Sequence, residues 1–246
     1  IQGSIISFSG ISIVNGAQTT GAIGSLETEP DSSVYVSARF ITCNNSDIVQ
    51  DIVRYNNSQN KVAPADFRST DAIQERLRKE FETYSGGISY LGGRRGGSAD
   101  SIQRRRRINH IPSDTIAQAL TAFHGYPILA IQNKSEIWES DSNYSRIFNE
   151  NTHAKHMVFV FSLHRAITEE KSRLQAIENR TDAENENLAF LRTTGAYYML
   201  TAAIGSTIET LLSRNVPDRF NLRFQGAPDL NSATDYWRPI VSIVLP

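Results

Sequence analysis

Cysteine is almost absent from the sequence, since Cys43 is the only one in 246 residues. A single cysteine cannot form an internal disulfide, which excludes a disulfide scaffold and favours a reducing, cytoplasmic compartment. Long apolar runs are also missing, because the best candidate, 196–212, is short and interrupted by Thr201 and Glu209, so no membrane contact is expected. No signal peptide is recognisable, and since the chain begins at Ile1 rather than Met, we expect it to be part of a longer protein.

Lysine is scarce as well, with five lysines against 20 arginines in a chain of net charge −1. The charge is unevenly distributed: residues 54–110 hold twelve Arg and Lys against six Asp and Glu, and the rest of the chain is acidic. Arginine donates two parallel hydrogen bonds to phosphate or carboxylate, which lysine cannot do. The segment therefore indicates a local site for a polyanion, the alternative being a surface whose arginines pair with acidic side chains.

Hydrophobic periodicity predicts regular structure along most of the chain. Apolar residues at 5–14 and alternation at 34–41 predict strands, and Ile73, Leu77 and Phe81 form the apolar stripe of a helix over 71–84. Further helices are predicted at 17–26, 47–55, 114–123, 153–179 and 186–214, with loops and a final apolar run over 218–246. The predicted fold class is α+β, with a mixed α/β domain over 1–150 and a mainly helical lobe over 151–246.

A strand, a turn and a helix meet at Asn15 and Gly16. The free N–H groups at the start of a helix attract phosphate, and glycine lets the backbone approach a ligand closely. The donors of this predicted phosphate or nucleotide site are Asn15, Gly16, Gln18, Thr19 and Thr20. The alternative interpretation is a plain Asn-Gly turn.

A second polar segment is unusually rich in amides. Asn56, Asn57, Gln59 and Asn60 lie within five residues, and such side chains can hydrogen-bond a base edge, a sugar or a phosphate. The alternative is a polar surface loop, since asparagine tolerates left-handed backbone conformations.

Six arginines form a third candidate site, for a nucleic-acid backbone. They are Arg94, Arg95, Arg104, Arg105, Arg106 and Arg107, and glycines surround the first two. Arginine contacts to phosphates give affinity with little sequence reading, and Tyr84 and Tyr90 are candidates for stacking on bases. A solvated loop is the competing interpretation.

Two of these segments together resemble the AIPR family, the abortive-infection phage-resistance proteins of bacteria. The pattern Ile-Val-Asn-Gly-x-Gln-Thr occurs at Ile13–Thr19, and Asn-Asn-Ser-Gln-Asn-x-Val occurs at Asn56–Val62. Weaker likenesses follow at Asp66-Phe67, Ser69, Asp71, Tyr90-Leu91, Ala122–Pro127 and Tyr144–Phe148. The resemblance covers about Ile11 to Asn149 and implies a role in antiviral defence.

The same turn and loop are more remotely similar to the ParB-like superfamily. That similarity implies a small sheet with helices, and a nucleotide or nucleic-acid phosphate held between turn and loop. The family's acidic residues are replaced here by Asn15 and Asn56, and its arginines by Thr19 and Asn60. An amide is not the hard anionic ligand that Mg²⁺ prefers, nor a general base, so binding carries over better than catalysis.

Other catalytic patterns are weak in this sequence. His153, His156 and His164 lack further ligands at convincing spacing, so no metal site is predicted and these histidines are interpreted as structural. Mg²⁺, a nucleotide and homo-oligomer formation are left open. The predicted function is defence through nucleic-acid or nucleotide binding. The alternatives are a metal-dependent nuclease or NTPase completed by a missing N-terminal region, and a protein-interaction module that senses a phage component.

Overall fold

The computed structural model describes residues 13, 16–24, 26, 28, 31–45, 48–49, 51–52, 64–93 and 109–245. Contacts group the chain into two units, Ile1–Ala63 with Arg95–Arg105, and Pro64–Arg94 with Arg106–Pro246. Residues on both sides of position 150 contribute to the core of the second unit. The predicted division into 1–150 and 151–246 stays a prediction.

In the first unit, helix α1 (Ala17–Gly24) confirms the helix predicted after the Asn-Gly turn. Positions 48–49 and 51–52 are also helical, within the helix predicted at 47–55. The strand predicted at 34–41 is wrong, because this segment is neither strand nor helix. Its alternation predicted one buried face, but Val34, Tyr35 and Val36 are all exposed. The one-sided burial that favours a strand is therefore missing. The strand predicted at 5–14 lies outside the described residues, apart from Ile13.

The second unit is mainly helical and also contains a small parallel sheet, so the coarse α+β class is confirmed. Its helices are α2 (Pro64–Phe67), α3 (Ala72–Glu82), α4 (Ser113–Phe123), α5 (Pro127–Gln132), α6 (Glu136–Glu139), α7 (Asp141–Ile147), α8 (Ala154–Ala176), α9 (Asp182–Arg192), α10 (Ala196–Ser206), α11 (Ile208–Leu212) and α12 (Leu230–Val244). A 3₁₀ turn spans Arg219–Asn221. Two short parallel strands, β1 (Ser89–Tyr90) and β2 (His110–Ile111), form the sheet of this unit within the described ranges.

Helix α8 lies at the centre of this unit. Its residues from His156 to His164 are all buried, as expected of a helix that is covered on every side. It packs against α4 and α12, where the rings of Phe159 and Trp237 meet edge-on with centroids 4.8 Å apart. The indole N–H of Trp237 donates to the carbonyl oxygen of Phe159 at 3.1 Å, so this buried polar group is satisfied.

Several helix boundaries differ from the sequence expectation. The single helix predicted at 186–214 is wrong, since Gly195 adopts a left-handed φ of +84° and separates α9 from α10. Helix α9 begins earlier, at Asp182, because Thr181 and Glu184 form a capping box. Helix α12 replaces the predicted loops, and its Asp229 side chain accepts hydrogen bonds from the backbone of Asn231 and Ser232.

The start of α8 is held by a carboxylate from another helix. Glu80 of α3 accepts a hydrogen bond from the backbone N–H of Ala154 at 2.7 Å and one from Arg76 at 2.9 Å. His153 approaches the same carboxylate, with its Nδ1 3.0 Å from Oε1. A carboxylate at a helix N-terminus satisfies a free N–H group and interacts favourably with the helix dipole.

We expect Glu80→Ala to lower the free energy of unfolding by about 1–2 kcal/mol, through loss of this capping contact. Urea denaturation followed by circular dichroism measures the change. Glu82→Ala is the matched control on α3, because Glu82 is exposed, and its effect should stay within about 0.5 kcal/mol. Equal effects of the two substitutions would contradict the capping role.

Within the described ranges, no helix combines the length and the apolar character needed to cross a membrane.

Candidate functional site

The predicted phosphate-binding turn is partly described. Gly16 has a left-handed φ of +99°, with no atom within 4 Å of where a Cβ would stand. Its carbonyl accepts hydrogen bonds from the Thr20 backbone at 2.9 Å and from the Thr20 hydroxyl at 3.1 Å. Thr19 and Thr20 are exposed at the start of α1. Gly16 thus has the backbone freedom predicted for it, and one predicted donor, the Thr20 hydroxyl, is used within the helix.

Most of the other predicted ligand-binding residues lie outside the described residues. Gln18 is described as a helical position without its side chain. The residues not described are Asn15, Asn56, Asn57, Gln59, Asn60, Arg94, Arg95, Arg104, Arg105, Arg106 and Arg107. Their roles stay predictions, but the residues that flank them in the chain are described.

The chain flanking the amide-rich segment contacts the chain flanking the arginine run. Pro64 and Ala65 follow the amide-rich segment, and Gly93 immediately precedes Arg94. A Cβ on Gly93 would overlap the carbonyl oxygen of Ala65 and come within 2.6 Å of the Asp66 Cα. Only glycine permits this close backbone approach. The chain that follows the amide-rich segment and the chain that precedes the arginine run therefore meet within the second unit.

Arg78 of α3 donates hydrogen bonds to both of these chain segments. Its guanidinium donates to the carbonyl oxygen of Ser69 at 2.7 Å and to that of Leu91 at 3.0 Å. A third hydrogen bond, of 2.9 Å, joins it to the Glu75 carboxylate. The Arg78 side chain is only 11% exposed. One buried cation thus links the chain after the amide-rich segment to the chain before the arginine run.

The chain that follows the arginine run is held at Asn109 and His110. β1 and β2 pair in parallel, with Ser89 opposite His110, so the arginine run is the crossover between them. The Ser89 hydroxyl donates to the carbonyl oxygen of Asn109 at 3.4 Å and lies 3.2 Å from the Nδ1 of His110. Burial lowers the pKa of His110, so its ring is mainly neutral near pH 7.

A buried amide connects β1 to two helices. The Tyr90 hydroxyl donates to the Gln74 side chain at 2.6 Å, and the Gln74 amide donates to the Tyr144 hydroxyl at 3.0 Å. Burial raises the pKa of Tyr90 well above its usual range and that of Tyr144 to about 12. Both phenols are therefore neutral hydrogen-bonding groups. Because Tyr90 is 3% exposed and Tyr84 is 9% exposed, neither ring is open to a base, and the predicted stacking of these tyrosines on bases is wrong.

Three arginines of the basic stretch serve the fold itself. Arg68 donates to the carbonyl oxygen of Trp138 at 2.9 Å and pairs with the Asp141 carboxylate. Arg76 donates to the carbonyl oxygens of Asn149 and Thr152, and Arg78 has been described above. The sequence alternative, in which arginines of this stretch pair internally, thus holds for these three, which leaves the undescribed run at 94–107 as the candidate for a polyanion.

Arg78 and Gln74 were not recognised as site residues from the sequence. The sequence pattern leaves Arg78 largely outside the helical stripe of Ile73, Leu77 and Phe81, whereas its side chain is largely buried. A spacing of four residues places Gln74 and Arg78 on one helix face beside that stripe. The available indication in the sequence was an arginine four residues after a glutamine, on the helix face beside the apolar stripe.

Histidines form a second polar cluster in this unit. His124, which the sequence interpretation missed, places its Nε2 3.0 Å from the Nε2 of His156, and the Nδ1 of His156 lies 3.0 Å from the carbonyl oxygen of Leu222. Among the described residues no three His, Cys, Asp or Glu side chains are grouped as metal ligands. These rings pack among Phe123, Phe159 and Phe220.

An open groove of about 530 Å³ runs along the outer face of α3. Its lining residues are Ala72, Glu75, Arg76, Lys79, Glu80 and Thr83. Arg76 and Glu80 are paired with each other and with the start of α8, so both of these charges already serve the fold. The groove is therefore a weaker candidate for a ligand site than the Ala65–Gly93 contact.

Among the comparisons with known proteins, a family model matches the chain. No curated protein and no solved structure matches it. A sequence model of one family, described as "AIPR protein", matches residues 2–223. The match spans the Asn-Gly turn, the amide-rich segment, the arginine run and most of the helices of the second unit. The chain therefore belongs to the AIPR family, the abortive-infection phage-resistance proteins, and its broad role is in antiviral defence.

Proposed function

We propose that the protein acts in defence by binding a phosphate-bearing ligand, a nucleic acid or a nucleotide. The turn at Asn15–Thr20 and the amides of Asn56–Asn60 hold a phosphate, and the arginines between Arg94 and Arg107 extend the grip along a backbone. A chain with one cysteine fits the reducing bacterial cytoplasm, where such ligands occur. A likeness to ParB-like proteins would agree with this arrangement.

The contact between Gly93 and Ala65 carries this proposal. Asn60 precedes Pro64 by four residues and Arg95 follows Gly93 by two. Asn60 lies five residues before Ala65. Since an extended chain spans at most about 3.6 Å per residue, Asn60 and Arg95 lie within roughly 30 Å of each other. A short nucleic-acid segment can bridge such a distance, so the Gly93–Ala65 contact and the short chain connections on either side of it keep Asn60 and Arg95 within reach of one ligand.

The chemistry of the donors favours binding over turnover. Amides at positions 15 and 56 offer hydrogen bonds to phosphate without the negative charge that would repel it. Those amides are poor ligands for Mg²⁺ and cannot act as general bases. Glycine at position 16, with its left-handed φ, gives the ligand access to main-chain N–H groups.

The double variant Gln18→Ala, Gln59→Ala tests this site. We expect it to weaken binding of labelled DNA, RNA or nucleotide by roughly tenfold, because two charge-assisted hydrogen bonds to phosphate are lost. Fluorescence anisotropy at about 50 and 200 mM salt measures the affinity. Gln132→Ala with Gln175→Ala is the matched control, since both glutamines are exposed on the second unit. Unchanged affinity in the first variant would refute the site.

A cleavage assay and the same binding measurements separate the alternative functions. Cleavage of a nucleic acid or nucleotide by the full-length protein with added divalent metal would indicate a nuclease or hydrolase. Failure of the wild-type protein to bind any of these ligands, at either salt concentration, would favour a protein-interaction module. The lower salt concentration makes this test stringent, because phosphate contacts strengthen steeply as the salt concentration falls.

A further inference from the structure

The segment that follows the amide-rich loop and the segment that precedes the arginine run share one buried partner, Arg78. We propose that Arg78 is a positioning residue for phosphate binding, which holds these two segments in register without touching the ligand. The inference rests on the proposed function, since it concerns how that binding surface is kept together.

The geometry of the guanidinium carries the inference. Nη2 donates to Ser69 and Nη1 donates to Leu91, so the two carbonyls are bridged by the two ends of one planar group. The planar fork of arginine fixes the separation and direction of two acceptors, whereas an ammonium group has no such geometry. Ser69 and Leu91 are 22 residues apart in the sequence, and this bridge is a direct link between their segments.

Glycine packing supports the same role. Gly92 has a φ of +66°, and a Cβ there would come within 2.8 Å of the Arg78 Nη1. Gly93 has no room for a Cβ beside Ala65 and Asp66. Two consecutive glycines thus allow the chain that enters the arginine run to lie directly on Arg78 and on the chain that leaves the amide-rich segment.

Charge does not explain the position of Arg78. Its side chain is 11% exposed and its nearest anion, Glu75, lies on its own helix. A buried cation of this kind exerts its effect on a distant polyanion through geometry more than through long-range attraction, since Glu75 offsets its charge. Arg78→Lys keeps the charge and loses the fork, and so separates the two effects.

We expect Arg78→Lys to weaken polyanion binding by roughly tenfold and to reduce the slope of log K against log salt, because fewer phosphates are contacted at once. The probe is a labelled single-stranded oligonucleotide, titrated with the full chain at several salt concentrations. A smaller folded fraction would raise the apparent dissociation constant by the same factor at every salt concentration and leave the slope unchanged. The slope is therefore the measurement that a merely structural role would not alter.

Arg76→Lys is the matched control. Arg76 lies on α3 as well and also donates to two carbonyl oxygens, those of Asn149 and Thr152, away from both segments. Its substitution removes a comparable fork and should leave the salt slope at the wild-type value. Gly93→Ala is an independent variant, since its Cβ pushes the chain away from Ala65 with no change in charge, and it should reproduce the Arg78→Lys slope.

The outcomes distinguish this inference from the proposed function. If the wild-type protein binds no polyanion, the proposed function fails, and with it the reason for positioning. If the wild type binds and Arg94→Ala with Arg95→Ala weakens binding, while Arg78→Lys and Gly93→Ala retain the wild-type slope, the positioning role is overturned and the proposed function stands. Equal slope losses in Arg76→Lys and Arg78→Lys would also overturn it.

Discussion

Acidification from about pH 7 to about pH 4.5 is expected to lower the free energy of unfolding by several kcal/mol, because three buried histidines resist protonation in the folded state. Burial is the main cause for each ring. It lowers the pKa of His124 to about 3 and those of His156 and His164 to about 4. The loss should begin as the pH falls below about 6.5, the value of an unfolded histidine.

The sign follows from proton binding. Between about pH 6.5 and the folded pKa values, the unfolded chain binds protons that the folded chain excludes, so stability falls as the pH falls. Each buried histidine contributes about 1 kcal/mol per pH unit in this range. Above about pH 6.5 both states are neutral at these rings, and the effect disappears.

The environment of the His124–His156 pair explains why it stays neutral. Since the Leu222 carbonyl can only accept, the Nδ1 of His156 donates to it, which leaves the Nε2 of His156 to accept from His124. Protonating either ring would place a cation in a layer of aromatic side chains, and protonating His156 would also remove the acceptor of the pair. Arg219 near His124 disfavours a positive charge further.

His164→Phe provides the sharpest test of this pH dependence. The ring of His164 stacks on Tyr198 with centroids 5.3 Å apart, and its Nδ1 is buried with no hydrogen-bond partner among the described residues. Phenylalanine preserves the stacking and cannot bind a proton. Urea unfolding from about pH 7 to 4.5 should show a slope lower by about 1 kcal/mol per pH unit than in the wild type. A slope equal to that of the wild type would contradict the assignment.

The helices could be predicted from the sequence where their apolar pattern is strong. The stripe on α3 and the apolar run Met157–Leu163 placed α3 and α8 to within a few residues. Helix α12 was not predicted, because Pro239 lies inside it and the apolar run recognised in the sequence covers only its end. Its start depends on Asp229, a capping group that is indistinguishable from a loop aspartate until its hydrogen bonds are known.

The candidate site was likewise only partly recognisable from the sequence. Amide and arginine motifs were visible in the sequence because their residue types are unusual and lie close together in the chain. The contact between Gly93 and Ala65 was not, since it joins backbone atoms 28 residues apart and depends on glycine leaving space. Arg78 was hidden for the same reason, because its partners are carbonyl oxygens, which every residue has.

Replacing Arg104, Arg105, Arg106 and Arg107 by Gln should cause the largest loss of function. If these four arginines contact phosphates, the slope of log K against log salt should fall by about 3, since each contact contributes roughly 0.7 on a single strand and 0.9 on a duplex. The corresponding loss of affinity at about 0.1 M salt is of the order of 100-fold or more. Titrations of labelled DNA and RNA at several salt concentrations measure both quantities.

A charge-matched variant decides whether position or total charge is responsible. Arg192, Arg214, Arg223 and Lys155 are exposed on the second unit, and replacing all four by Gln changes the net charge by the same amount. If binding depends on a local phosphate grip, this control should keep a slope close to that of the wild type, because only charges that contact phosphates contribute to the slope. Equal losses in the two variants would show that the polyanion responds to overall charge, and the arginine run would then have no special role.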